Sequence, residues 1–513
     1  MQDRTALMNS TANQNFLGAL AAVADAHAQR PCLIQPGAED WSFAMLSDAA
    51  RRVAGALAQA GVGPGDRVLA QVDKSAHAVA LYLATLRLGA VYVPINTAYT
   101  SEEVAYFRGD SDPRVLVCRE QDVPALAPVA GEADLLSLGA DGGGSLLQNA
   151  AQAAPVDTIM ERAADDIAAI VYTSGTTGRS KGAMLTHDNL ASNARVLLDY
   201  WGWVDDDVLL HALPVFHVHG LFVALHCALL SGTPMIFLPQ FDASAVIDAL
   251  PQATVMMGVP TFYTRLLERD DFTQQTCAGV RVFISGSAPL TEQTFAAWEA
   301  RTGHRILERY GMSETMMNTS NPLDGERVPG TVGYPLPGVE ARVVDAEGRE
   351  LSRGEVGVIE VRGANVFAGY WRMPDKTAEE FRDDGFFITG DLGKMEQDGR
   401  VSIVGRAKDL VISGGYNIYP KEVERLIDEM PEVLESAVIG VPHRDFGEGV
   451  VAVVVPVDEA VEEPQVRAVL EGRLARFKHP KVVVNVPDLP RNAMGKVQKK
   501  ELRDRYERLF SEV

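Results

Sequence analysis

One stretch limits the folds open to this chain more than any other. An apolar run, Ile167-Ala168-Ala169-Ile170-Val171, leads into Tyr172-Thr173-Ser174-Gly175-Thr176-Thr177-Gly178-Arg179-Ser180-Lys181-Gly182. The run reads as a buried strand. The loop after it holds three glycines, five Ser/Thr hydroxyls and two cations. Glycine tolerates positive φ and lets backbone N–H groups come close to a ligand. Successive N–H groups then form an anion-binding concavity, and hydroxyls and a lysine add donors to phosphate oxygens. A buried strand that feeds such a loop predicts a polyphosphate cradle rather than a polar surface turn. It is not the Gly-x4-Gly-Lys-Ser/Thr loop of P-loop kinases and ATPases. Gly175 and Gly178 stand too close together, and Gly182 follows Lys181.

The surrounding pattern fits an α/β chain. Asp66–Val72, Ala90–Ile95 and Val115–Cys118 read as strands, with a helix over Ala76–Leu88. Beyond the loop, strands are expected at Asp207–Leu210, Met235–Leu238, Ala253–Met257 and Val280–Ile284. Strands alternating with helices predict a parallel, helix-covered sheet. The 513 residues, 47% of them hydrophobic, suffice for two or more domains with a large core. Past Gly405-Arg406-Ala407-Lys408-Asp409 the elements shorten, with helices over Pro420–Met430 and Pro464–Leu474 and strands over Ala437–Val441, Val450–Val457 and Lys481–Val486. That change predicts a separate α+β unit of about 100 residues.

Charge and cysteines narrow the function. A net charge of −22 argues against a nucleic-acid partner. It also requires any anionic substrate to find a locally positive site. Cys32, Cys118, Cys227 and Cys277 are scattered, which excludes a disulfide framework and metal-ligand spacing and suits a reducing cytoplasm. Phe16–Ala24 is apolar, but Arg4 is balanced by Asp3 ahead of it, so a packed helix is expected rather than a signal peptide. No apolar run reaches the ~20 residues that span a bilayer. Gly142-Gly143-Gly144-Ser145-Leu146 mimics a phosphopantetheine-carrying serine, yet no small helical bundle surrounds it, and a flexible surface loop is expected.

Further motifs follow in order. His217-Val218-His219-Gly220 has two histidines but too few further ligands nearby for a metal site. Ser285-Gly286-Ser287-Ala288-Pro289-Leu290 follows a strand, and Pro289 suits a first helical turn. Then come Glu308-Arg309-Tyr310-Gly311-Met312-Ser313-Glu314-Thr315, Thr389-Gly390-Asp391, Gly405-Arg406, Lys408, Gly414-Gly415 and Pro490-Arg491-Asn492-Ala493-Met494-Gly495-Lys496-Val497. An aromatic such as Tyr310 suits stacking on a purine. Glu314 offers a hard oxygen of the kind Mg²⁺ takes beside phosphates.

Together these motifs resemble the adenylate-forming superfamily of acyl-CoA synthetases, peptide-synthetase adenylation domains and luciferase. Val259–Arg265 and Met316–Ser320 look most like malonyl-CoA synthetases. The resemblance implies an α/β fold with a large N-terminal domain of helix-covered sheets, residues 1–406, and a small mobile α+β C-terminal domain, residues 407–513, hinged at Lys408. It implies ATP and Mg²⁺, with coenzyme A as cosubstrate, and small molecules rather than nucleic acid or membrane as partners. By the same resemblance, Thr173, Ser174, Gly175, Thr176, Thr177, Gly178, Lys181, Gly286, Ser287, Ala288, Glu308, Arg309, Tyr310, Asp391 and Arg406 contact ATP or AMP, Asp391 through the ribose hydroxyls. Glu314 and Thr176 serve Mg²⁺, and Thr315 donates to the α-phosphate. His217 lies at the wall of the acyl pocket, which Ser287, Val218 and Met317 border. Lys496 on a mobile loop is the catalytic lysine, and Gly414 and Gly415 let the pantetheine arm pass. A dicarboxylate leaves a second negative group in the pocket. Arg can bind it bidentately, and Arg265 is favoured for this over Arg281. The other readings are a short- or medium-chain fatty acyl-CoA synthetase and a stand-alone domain that loads a carrier protein.

Overall fold

The structure, a computed structural model, describes residues 13–173, 180–414, 416–492 and 495–510. The opening strand extends over Ile167–Thr173 and pairs with Lys181–Thr186 in an antiparallel hairpin that sets Thr173 opposite Lys181. The hairpin closes a six-stranded sheet in the order Asp134–Ser137, Val115–Cys118, Arg67–Gln71, Val91–Pro94, Ile167–Thr173, Lys181–Thr186. The first five of these strands run parallel. A nine-stranded sheet lies beside it, and its parallel centre holds Leu209–His211, Val255–Gly258, Val282–Ser285 and Leu307–Met312. The expected strands are thus present, with ends moved by one or two residues.

Apolar residues of both sheets and of the helices Ala76–Arg87, His187–Tyr200 and Leu225–Ser231 form one large core. Phe16–Ala26 is a helix whose Phe16, Leu17 and Leu20 are buried in that core, as the packed-helix reading requires. Among the described residues, no helix is long and apolar enough to cross a membrane.

A four-stranded antiparallel sheet, Val339–Val344, Gly357–Gly363, Phe387–Met395 and Val401–Arg406, was not expected. Its strands carry many charged side chains because one face is half-exposed, which weakens the apolar signal. A five-stranded sheet follows, built on the long hairpin Val433–His443 and Gly447–Pro456 and backed by the helix Pro420–Ile427.

Two local expectations change. The helix after Gly286-Ser287-Ala288-Pro289 starts at Glu292, capped by Thr291, so Pro289 lies ahead of the first turn. Met312–Met316 is the turn of a β-hairpin, and Glu314 on it is buried. Ser145 opens the helix Ser145–Gln152 and is tied down, its Oγ accepting from Ser137 N at 2.9 Å.

Arg281 is held in this framework. Its Nε and Nη2 donate to Asp207 at 2.7 and 2.6 Å, and Nη1 donates to Trp201 O. Asp207 is 1% exposed. Removing one partner of a buried ion pair strands the other charge. Arg281→Ala should therefore cost about 3 kcal/mol in a urea unfolding titration while leaving the apparent affinity for the carboxylate substrate unchanged.

Candidate active site

The flanks of the phosphate loop meet the glutamate hairpin. Thr173 Oγ1 donates to Glu314 Oε1 at 3.2 Å, and Tyr370 OH donates to the same oxygen at 3.1 Å. Tyr370 OH also reaches Glu380 Oε2 at 2.7 Å, and Lys181 Nζ pairs with Glu380 Oε1 at 2.9 Å while standing 4.0 Å over the Tyr370 ring. Sequence reading missed Tyr370 and Glu380. The segment Gly369-Tyr370-Trp371 held the signal, a glycine beside two aromatics ahead of an acidic helix. Ser174, Gly175, Thr176, Thr177, Gly178 and Gly415 lie outside the described residues.

A second cluster gathers on Asp391. Tyr310 OH donates to its Oδ2 at 2.5 Å and Arg406 Nε to its Oδ1 at 2.7 Å. Strand register sets Asp391 opposite Arg406. The three side chains expected at the base and ribose are therefore neighbours. Thr315 Oγ1 and Glu308 Oε2 are buried without a hydrogen-bond partner among the described residues. Burial pushes the Glu308 carboxyl up to about 8.

The third cluster is cationic and aromatic. His219 lies within hydrogen-bond distance of Ser287 Oγ, Nδ1 to Oγ 3.2 Å, and Ser287 takes φ of 71° in the turn. Burial, then Arg309 and Lys496, drive His217 down to about 4, so it is neutral at pH 7. Arg309 is 2% exposed, with Nε and Nη2 unpartnered among the described residues. Burial lowers its guanidinium to about 9. Gly286 makes the room, because a Cβ there would stand 2.5 Å from Arg309 Cζ. Val218 and Met317 are buried, and Gly311 admits Met317, whose Cε would lie 2.6 Å from an added Cβ.

Arg265 is elsewhere. It is exposed on the helix Pro260–Leu267. It lines a cavity of about 180 Å³ with Pro214, Phe262, Arg491 and Gly495. Lys496 comes from the loop beyond, its N donating to Asn492 Oδ1 at 3.0 Å. Burial and Arg406 lower its ammonium to about 8, partly offset by Asp391. Lys408 is exposed, and Gly414 adopts φ of 60°.

The donor set suits the groups expected here. A buried carboxylate with hydroxyls around it offers the hard oxygens that Mg²⁺ takes, one or two carboxylates completed by phosphates and water. The Thr315 hydroxyl, without a partner among the described residues, has a donor free for an oxyanion.

Residues 20–371 match the AMP-binding enzyme family, and residues 422–496 match the AMP-binding enzyme C-terminal domain. The chain is 36% identical over 479 residues to the malonate–CoA ligase of Arabidopsis thaliana, covering 86% of this chain and 78% of that one. It superposes on ATP-bound MatB from Rhodopseudomonas palustris with a TM-score of 0.94 at 55% identity, covering 97% of this chain and all of that one. The apo form of the same protein, at the same identity and coverage, gives 0.83.

A lysine that is to neutralise phosphate oxygens must be charged. The depressed value of Lys496 puts the charged form below pH 8 and removes it above. Adenylation kcat/KM, which reports the free protein, should therefore fall about tenfold per unit above pH 8. In Lys496→Arg this alkaline limb should move to higher pH, whatever the absolute rate, in a pH series of ATP–pyrophosphate exchange.

Proposed function

The chain belongs to the AMP-binding enzyme family, and we propose that it is an ATP-dependent malonate–CoA ligase working through an acyl-adenylate. The observation that carries the choice of acid is Arg309. A buried guanidinium without a carboxylate beside it leaves a large desolvation cost uncompensated. It lies at the acyl end of the site, next to His217 and His219. A monocarboxylate presents its charge to the phosphates and leaves Arg309 bare. A short dicarboxylate supplies the missing counterion, and a buried Val218 and Met317 suit the single carbon between its carboxylates. Arg309 thus takes the role that sequence reading favoured for Arg265, while Arg281 is committed to Asp207.

In the first half-reaction a malonate carboxylate oxygen bonds to the α-phosphorus of ATP, the bond to the β-phosphate breaks, and pyrophosphate leaves. Transfer of this kind is mostly positioning and charge neutralisation. Lys496 holds the carboxylate against the phosphate and neutralises developing charge. Thr315 donates its free hydroxyl to an α-phosphate oxygen. Asp391 and Arg406 orient the ribose, and Tyr310 stacks on the adenine. Neutral His217 packs the acyl wall without competing for the carboxylate. Glu314 would hold Mg²⁺, which supplies charge neutralisation at the phosphates. Lys181 leaves Glu380 to join the triphosphate as a supporting cation.

In the second half-reaction residues 407–513 rotate about Lys408 as one domain against residues 1–406, a hinge transition. Lys496 is withdrawn, and Gly414 and Gly415 border the pantetheine path. The CoA thiolate attacks the acyl carbon, the bond to the AMP oxygen breaks, and AMP leaves. The better match to ATP-bound MatB than to its apo form supports the adenylation arrangement for the structure described. The buried free cysteines fit a reducing compartment such as the cytoplasm.

AMP release, with and without CoA, across acetate, propionate, octanoate, malonate and methylmalonate tests the reading. Malonate should dominate, and release should depend on CoA. Preference for octanoate would return the chain to fatty acyl-CoA synthesis, and CoA-independent loading of a carrier would make it a stand-alone adenylation domain. Arg309→Ala should raise the malonate KM by about 2–4 kcal/mol and leave propionate little changed. Lys496→Ala should abolish ATP–pyrophosphate exchange yet keep thioester formation from supplied malonyl-adenylate. Equal loss of both steps refutes the lysine's assignment.

A further inference from the structure

The segment that joins the four-stranded sheet to the five-stranded sheet is tied by an ion pair on each side. On the first side, Arg406 ends the strand Val401–Arg406 and its Nε pairs with Asp391 at 2.7 Å. On the second, Asp409 Oδ1 accepts from Arg503 Nη1 at 2.8 Å. Arg503 lies on the helix Lys499–Tyr506, whose Leu502 is fully buried in the last core cluster with Ala437, Ile439 and Val441. Lys499 of that helix also pairs with Glu424 on Pro420–Ile427. The helix is therefore bound to the second body through Leu502 and Lys499, and Asp409 is bound to the helix. Between the two anchors lie Ala407 and Lys408, both exposed.

We infer that Asp409 and Arg503 are positioning residues that confine the pivot to Ala407 and Lys408 and couple it to Lys496. The inference rests on the domain rotation proposed above. Planar peptides leave two soft torsions per residue. With both anchors closed, any rotation is absorbed by the torsions of Ala407 and Lys408. With Arg503 removed, Asp409 and Leu410 join the flexible segment, because only the single 3-10 turn Ala407–Asp409 precedes the strand that begins at Val411. A longer flexible segment admits more orientations, and the adenylation arrangement becomes a smaller fraction of them. The same helix begins three residues after Lys496. The Arg503–Asp409 pair thus fixes the lysine loop to the pivot itself. Both anchors sit beside charges that cannot replace them. Lys408 is exposed and cationic like Arg503, and Arg406 is held by Asp391.

The test combines a distance measurement with kinetics. All four native cysteines are buried, so nitroxide labels go to Val204→Cys and Val457→Cys, both exposed positions on the two bodies. Arg503→Ala and Asp409→Ala should broaden the label–label distance distribution. Each should also lower the ATP–pyrophosphate exchange kcat about tenfold, with KM for ATP and malonate within about twofold. Arg503→Lys keeps a charge within reach of Asp409 and should recover the narrow distribution and most of the rate. A merely structural contact would lower the melting temperature and leave the width unchanged. Unchanged distributions in both alanine variants overturn the inference, as does a rate loss without broadening. If malonate is not the substrate, exchange is absent from the parent protein too, while the distance readout still decides the pivot.

Discussion

The carboxylate of Asp391 is the constraint on which the rest of the arrangement depends. It is 3% exposed, accepts from Tyr310 OH and Arg406 Nε, and is set opposite Arg406 by strand register. One group therefore joins three parts of the chain. It fixes the Tyr310 ring that ends the large parallel sheet, it closes the last strand of the four-stranded sheet, and it marks where the first body ends. Lys496 feels the same carboxylate from the far side of the pivot. A buried carboxylate at such a junction needs hydrogen-bond partners, and Tyr310 and Arg406 supply them.

Sequence order made much of the site legible. The phosphate loop, the Glu308–Thr315 stretch, Asp391 and Lys496 are local patterns whose chemistry depends on residue type and close spacing. Their flanks also fold as their patterns predict, with the strand Ile167–Thr173 ahead of the loop. The choice among arginines was not legible, because it depends on burial and on partners far away in sequence. Arg281 looked available until its pairing with Asp207, 74 residues distant, removed it. The resemblance groups Arg309 with the nucleotide contacts, and what favours the acyl end for it is a burial that leaves Nε and Nη2 without a partner among the described residues. The four-stranded sheet was unreadable for another reason: its half-exposed strands dilute the periodic signal with charged residues.

The network of Thr173, Glu314, Tyr370, Glu380 and Lys181 shows how a chain of net charge −22 stays ready for a polyanion. Lys181 is stored against Glu380 and over an aromatic ring. Tyr370 offers one hydroxyl proton to two carboxylates. Any cation that engages Glu314 removes one of those acceptors and commits the hydroxyl to Glu380. The loop flanks and Glu314 are thereby linked through a single tyrosine rather than through a continuous charged surface.

The acyl end follows the opposite logic. There, Arg309 is buried with Nε and Nη2 unpartnered among the described residues, Lys496 is half-buried, and desolvation lowers Arg309 to about 9 and Lys496 to about 8. Each depressed value measures how poorly the protein alone solvates the charge. In the proposed reading a dianionic substrate reverses that deficit at both ends, one carboxylate toward Lys496 and the other toward Arg309. A monoanion of equal size reverses it at one end and leaves the other guanidinium desolvated. Discrimination then arises from what the wrong acid fails to satisfy, which is a stronger filter than the loss of one methylene contact. Neutral His217 and His219 are part of this filter. Had either been charged, the pocket would have held surplus positive charge, and the distinction between one carboxylate and two would have weakened.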